Sequence, residues 1–224
     1  DYVIWADEHF FEIFDFELLA QKEEVILNET NEIVLTQRIA DEYFKEVNGN
    51  YQAIIGKSIK VANYQDPFTV VGICKNIPSN SLLNFNLLLS YQSCIRYWGE
   101  GADNSWQWSD FYHYLELEPK TDVTALETKF VDFSERHFRG AEVSGSNEVF
   151  TLQALKDAHL FSTDLEYEVG NTTNGRAVIS LLIIAFFILI IAWINYINLS
   201  SVRAIERAKE VGVRKVVGAS KGHL

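Results

Sequence analysis

The densest concentration of side chains able to do chemistry runs from Tyr97 to Asp110, where Trp98, Trp106 and Trp108 alternate with Glu100, Asp103 and Asp110. Indole faces stack on sugars or on a partner's apolar groups, and paired carboxylates are the general acid and base of glycoside hydrolysis. Acids a few residues apart are common, and an aromatic cluster of this kind also serves to seal a junction between lobes. Both readings stay open. The five histidines (His9, His113, His137, His159 and His223) show no metal-ligand spacing. Cys74 and Cys94 sit outside any CxxC pair and are too few for a disulfide scaffold or a four-cysteine zinc site. They are read as either a bridge or two separate buried thiols. GxxxxGK[ST], GxGxxG after a strand, GxSxG and HExxH are all missing, which removes the strong nucleotide, hydrolase and metalloprotease signals. The chain is expected to be non-catalytic, with no cofactor of its own.

The elements that position these residues are short and mixed. Val3 to Trp5 reads as a strand, and Asp1 opening straight into Tyr2-Val3-Ile4-Trp5 suggests a strand entered part-way, with an upstream portion missing. Asp7 is placed to cap a helix whose Phe10, Phe11 and Phe14 share a face. Ile33 to Leu35 is a buried strand, and Thr36 caps a helix carrying Ile39, Ala40, Tyr43 and Phe44 inward. Ser58 to Val61 and Phe68 to Cys74 form a hairpin. Further strands are expected over Leu82 to Leu89, Tyr112 to Glu118 and Val149 to Leu155. Thr124 and Glu127 make a capping box for a helix whose Val123, Leu126, Phe130, Phe133 and His137 stripe packs on a sheet. Strands and helices alternate without a strict βαβ rhythm, so residues 1–175 read as a mixed α+β domain with room for two lobes.

Charge divides the chain. The 224 residues carry a net −12, yet residues 1–176 hold 13 basic and 29 acidic groups whereas residues 203–224 hold 6 and 2. Between them Ala177 to Val202 is 26 residues without a charge, and at about 1.5 Å per residue this exceeds the roughly 30 Å hydrocarbon core of a bilayer. Residues 176–202 are therefore read as a transmembrane helix. Six Lys and Arg follow it and only Arg176 lies just before it, which puts residues 203–224 in the cytoplasm and residues 1–175 outside. An acidic outer domain argues against nucleic acid as a partner. Trp193 and Tyr196 mark the cytoplasmic interface. Asn195 and Asn198, one turn apart, either bond across to neighbouring helices or lie at wet interfacial depth.

After the span, a plain stop-transfer run would need only positive charges, yet here an acid, two glycines and regularly placed valines accompany them. Asn195-Tyr196-Ile197-Asn198-Leu199-Ser200, followed by Arg207-Ala208-Lys209-Glu210-Val211-Gly212-Val213-Arg214-Lys215-Val216-Val217-Gly218-Ala219, resembles the signature of FtsX-like, MacB-type ABC transporter permeases. Weaker, mostly apolar likenesses to the outer domain of that family run through Ile33 to Phe44, Ile55-Gly56-Lys57, Phe68 to Ile73 and Leu155 to Leu160. The resemblance implies an inner-membrane permease subunit without its own ATPase, with ATP bound on a cytoplasmic ABC ATPase partner. It also implies a permease dimer, a periplasmic adaptor or outer-membrane partner, and further spans. Motion driven by ATP would pass to the outer domain for export, peptide or lipoprotein extrusion, or force transmission. Carried onto this sequence, Arg207, Glu210, Gly212, Arg214, Gly218 and Ala219 match the coupling motif. The rival for these residues is helix packing and topology alone, and the rival for the chain is a single-pass receptor sensing a ligand outside.

Overall fold

In the computed structural model, residues 2–62, 64–99, 101, 103, 111–137, 149–162 and 172–218 are described. Residues 1–172 form one unit and residues 173–224 a second.

Two runs lie at the centre of the first unit, β3 (Glu32–Thr36) and β5 (Phe68–Cys74). All of β3 and all of β5 but Thr69 is buried, as their unbroken apolar character predicts for strands covered on both faces. Together with β1 (Val3–Ala6), β2 (Leu18–Gln21) and β6 (Leu87–Ser90) they give the order β1-β6-β3-β5-β2, and β4 (Ser58–Ile59) also pairs β5. β1 with β6 and β3 with β5 are parallel, while β6 with β3 and β5 with β2 and β4 are antiparallel. This is the mixed α+β domain expected.

Alternation along the strands sorts side chains into two cores. Val34, Val71 and Leu88 point into one, with Phe10, Ile26, Leu27 and Phe85. Ile33, Leu35, Val70, Ile73 and Leu89 point into the other, with Ile39, Ala40, Ile54 and Phe68. The β3–β5 register slips between Ile33 and Val34, so that Val70 lies opposite Ile33 and Gly72 opposite Val34. At this irregularity a Cβ on Gly72 would lie 3.1 Å from both Ile26 Cδ1 and Val34 Cγ2. Only glycine lets the three chains close there without displacement.

The first core is roofed by α1 (Phe10–Ile13), where Phe10 stacks on Phe16 at 5.7 Å and meets Phe85 edge-on at 5.6 Å. Asp7 does not occupy the N-cap, which is His9; two residues before it, the Asp7 carboxylate accepts from the His9 N–H at 3.2 Å. The second core is covered by α2 (Gln37–Tyr43), with Ile39 and Ala40 buried. Thr36 holds the N-cap position, but its hydroxyl makes no cap bond. Asn76 takes the role instead, its Oδ1 accepting from the Arg38 N–H at 2.7 Å. Tyr43 stays exposed rather than inward.

Several expected elements differ. The Ser58–Val61 strand shortens to β4, and the Leu82–Leu89 strand to β6. Tyr112 to Glu118 and Val149 to Ala154 join no ladder, and α5 (Leu155–Phe161) begins where the latter strand was expected to end. Along the former, Phe111, Tyr114 and Leu117 are the half-buried positions, a spacing of three that no pleated strand has. The helix after it, α4 (Val123–His137), starts one residue before Thr124. Asp122 caps it by accepting from the Ala125 N–H at 3.1 Å, and Glu127 instead accepts from the Leu152 N–H at 2.8 Å. Its stripe does not reach the sheet's two cores. Phe133 packs edge-on against Phe150 at 5.8 Å. Between β6 and this region lies α3 (Tyr91–Trp98).

Candidate functional site

The second unit is dominated by one helix, α6 (Gly175–Val216), 42 residues without a break and thus roughly 63 Å long. Its start is fixed by Asn174, whose side-chain oxygen accepts from the N–H groups of Arg176 at 3.0 Å and Ala177 at 3.2 Å. These are two of the donors a helix leaves unpaired at its N-terminus. α6 is long and apolar enough to cross a membrane, and none of its most apolar 18-residue window is buried within the chain. A core helix of a soluble domain would hide such a window.

The same helix continues through the basic segment. Glu210 and Arg214, four residues apart, are hydrogen-bonded. The helix closes through the Gly218 N–H to the Lys215 carbonyl at 3.2 Å, with Gly218 at φ 92°. That left-handed conformation is the usual glycine terminator. Arg207, Glu210, Gly212 and Arg214 thus lie on α6 and Gly218 just beyond it, while Ala219 falls outside the described residues.

At 3.6 residues per turn the motif residues do not share one face. Arg203, Arg207, Glu210 and Arg214 line one side. On the other, Asn195, Asn198, Val202, Ile205, Gly212 and Val216 follow at alternating steps of three and four, Lys209 filling the remaining place. The division follows from the residue spacing alone. All of these side chains are exposed, and a Cβ on Gly212 would meet nothing within 4 Å.

The aromatic loop is brought together only in part. Trp98 closes α3, about half exposed, with its ring edge-on to Phe111 at 6.0 Å. Trp106, Trp108, Glu100 and Asp110 lie outside the described residues. Asp103 accepts from the Tyr91 hydroxyl at 3.0 Å. Burial first, and then this carboxylate, push the Tyr91 phenol up to about 12. That acid is held by a structural partner. Cys74 and Cys94 are both buried and free, so the bridge is not formed. Among the described residues no three His, Cys, Asp or Glu side chains group as metal ligands.

With this geometry in place, the family model of the MacB-like periplasmic core domain matches residues 1–133. The chain belongs to that family. Curated relatives include the macrolide export ATP-binding/permease proteins MacB of Neisseria gonorrhoeae and Neisseria meningitidis, each 21% identical over 192 residues. The alignment takes in 86% of this chain and 26% of each relative, so the chain spans about a quarter of their length. Among solved structures, a domain of a protein assigned as a permease from Porphyromonas gingivalis is 18% identical, with a TM-score of 0.49 and 69% of each chain covered.

Proposed function

We propose that the chain is part of a non-catalytic permease subunit of an ABC transporter in the inner membrane. Residues 1–175 stand outside, α6 crosses the bilayer, and the segment from Arg207 to Ala219 engages a cytoplasmic ABC ATPase that carries the ATP. The observation that carries the reading is the continuity of α6. One unbroken helix joins an apolar, uncovered span to a charged segment bearing the coupling motif, in a chain of the MacB-like family. A displacement imposed at Glu210 then passes along a stiff rod instead of being absorbed by a loop. The amide side, with Asn195 and Asn198, suits a neighbouring helix, since an unpaired amide in hydrocarbon is costly. A permease dimer and a periplasmic adaptor or outer-membrane partner belong to the same reading. Export, extrusion and force transmission onto an outer partner all fit this architecture.

The test is co-purification of the full-length permease with its ATPase, together with stimulation of ATP hydrolysis. Glu210→Lys reverses one charge of the Glu210–Arg214 pair, and Gly212→Trp adds bulk where the chain itself offers no obstacle. Both are expected to abolish coupling while leaving the subunit in the membrane. Normal co-purification and stimulation in both would remove the proposed role of this segment.

A further inference from the structure

The two sides of α6 differ in aromatic and cationic content. Trp193, Tyr196, Arg203 and Arg207 follow one another at steps of three, seven and four, which stacks them along a single face. Trp193 is 69% exposed and Tyr196 71% exposed. Among the described residues Arg203 and Arg207 make no ion pair, whereas Arg214, further out on the same face, is held by Glu210. Glu206, the acid nearest in sequence, points about a quarter turn away. Asn198 lies on the opposite side, and Asn195 about a third of a turn from the arginine face.

Depth selects among the arginines. Centring the 26 uncharged residues on the hydrocarbon core leaves Arg203 roughly 5 Å and Arg207 roughly 11 Å beyond its edge. The headgroup layer is about 5–7 Å thick on each side, and an arginine stem can reach back several ångströms to place its guanidinium there. Two unpaired guanidinium groups next to an aromatic belt match a phosphate at the headgroup level, because the planar fork binds phosphate oxygens bidentately.

We propose that Arg203 and Arg207, below Trp193 and Tyr196, bind the phosphate of an anionic phospholipid in the leaflet at the C-terminal end of the span. This fixes the rotation of α6, with the arginine face toward lipid and the amide face toward protein. It also assigns Arg207 to the membrane surface and so narrows the segment proposed to engage the ATPase to Glu210 onward. The inference rests on the part of the proposed function that puts α6 across the bilayer, and is independent of what meets Glu210.

The test is a native mass-spectrometric titration of the full chain in neutral detergent with phosphatidylglycerol, phosphatidylcholine serving as the zwitterionic lipid. Wild type should retain phosphatidylglycerol in preference to phosphatidylcholine. Each arginine near the surface contributes about fivefold to association with anionic lipid, so the Arg203→Gln/Arg207→Gln double variant should bind about 25-fold more weakly. Arg203→Lys/Arg207→Lys keeps the charges but not the fork, and should recover only part of the preference. Lys209→Gln removes a charge about 3 Å farther out than Arg207, on the other side, and should stay within about twofold of wild type. An unchanged double variant, or an equal loss in Lys209→Gln, would overturn the site. Displacement of the lipid by glycerol 3-phosphate at matching concentration would overturn it in favour of a soluble phosphate. Crosslinking from positions 203 and 207 to the ATPase in the membrane complex would overturn it in favour of a protein partner. Normal ATPase coupling in Glu210→Lys and Gly212→Trp, with lipid preference intact in the wild type, would strike the proposed function alone.

Discussion

Gly72 offers the sharpest test of how the sheet is packed. It sits opposite Val34 at the register slip between β3 and β5, and an added Cβ would lie 3.1 Å from Ile26 Cδ1, 3.1 Å from Val34 Cγ2 and 3.6 Å from Leu18 Cδ2. Ile26 and Val34 are themselves buried and cannot yield into solvent. Replacing glycine reduces the entropy of the unfolded chain, which by itself would stabilise by about 0.4–1 kcal/mol. Forcing extra carbons into a filled core costs about 1–3 kcal/mol. For Gly72→Val, with three added carbons against two immobile neighbours, the cost prevails and a net loss of about 2 kcal/mol is expected. In a domain of this size that lowers the melting temperature by roughly 4–8 °C. The assay is thermal melting of the detergent-solubilised chain, followed by near-ultraviolet circular dichroism. Ile26→Val removes the very Cδ1 atom in contact and costs about 1 kcal/mol alone, so the two changes together should be less damaging than their sum. A Gly72→Val chain melting at or above wild type, or strict additivity with Ile26→Val, would refute the close approach.

Three further outcomes follow from single side chains. Burial at the start of β3 pushes the Glu32 carboxyl above its usual range, against the Glu29 N–H at 3.3 Å and the Lys22 ammonium at 3.9 Å. The folded state then holds the proton more tightly than the unfolded one. Glu32's contribution is greatest below the ordinary glutamate range and is lost as pH rises through the raised folded value. Denaturant titrations across acidic pH should show that decline weakened in Glu32→Gln, and an identical profile would contradict it. The Cys74 thiol is pushed up to about 12 by burial, with the Glu17 charge adding to the effect, and Cys94 is raised by burial as well. Both thiols should resist alkylation at neutral pH until the chain unfolds, and the intact mass should not change on reduction; a gain of two hydrogens would reveal a bridge. Asn174→Ala removes the acceptor for two N–H groups at the start of α6. It should cost about 1 kcal/mol locally, read as faster hydrogen exchange at Arg176 and Ala177; unaltered exchange would discount the cap.

What the sequence disclosed depends on how local the cause is. β3, β5 and α6 are legible because their apolar runs are buried, or left uncovered, over their whole length. β2 is not, because Leu18 to Gln21 has no period of its own and becomes a strand through pairing with Gly72 to Cys74, some fifty residues on. The cap of α2 fails for the same reason. Thr36 has the right position, but the acceptor is Asn76, brought in by the fold. Conversely, the alternation of Tyr112 to Glu118 is real in the sequence and finds no neighbouring strand, so packing imposes a spacing of three instead. On the site side, the motif from Arg207 to Gly218 was readable residue by residue, and so was the Glu210–Arg214 pair, since both arise within one helix. Trp98 shows the limit: its type leaves ligand surface and packing both open, and in the fold its ring meets Phe111 edge-on while about half of it stays exposed.

Gly212 carries the argument about coupling further than the charges do. A helix that had only to cross a bilayer and stop would gain about 1 kcal/mol from alanine at this position. The adjacent Glu210–Arg214 bond returns only about 0.3–0.5 kcal/mol, being exposed and screened by solvent. Among the described residues nothing comes within 4 Å of a Cβ at Gly212, so the absence of a side chain relieves no crowding among them. What glycine does supply is a smooth step on the amide side of α6, in line with Asn198 and Ile205, where another backbone can approach without a Cβ between them. Alanine at 212 would therefore strengthen the free helix while narrowing that step only slightly. Tryptophan closes it, which is why the larger substitution separates a docking role from simple helix stability.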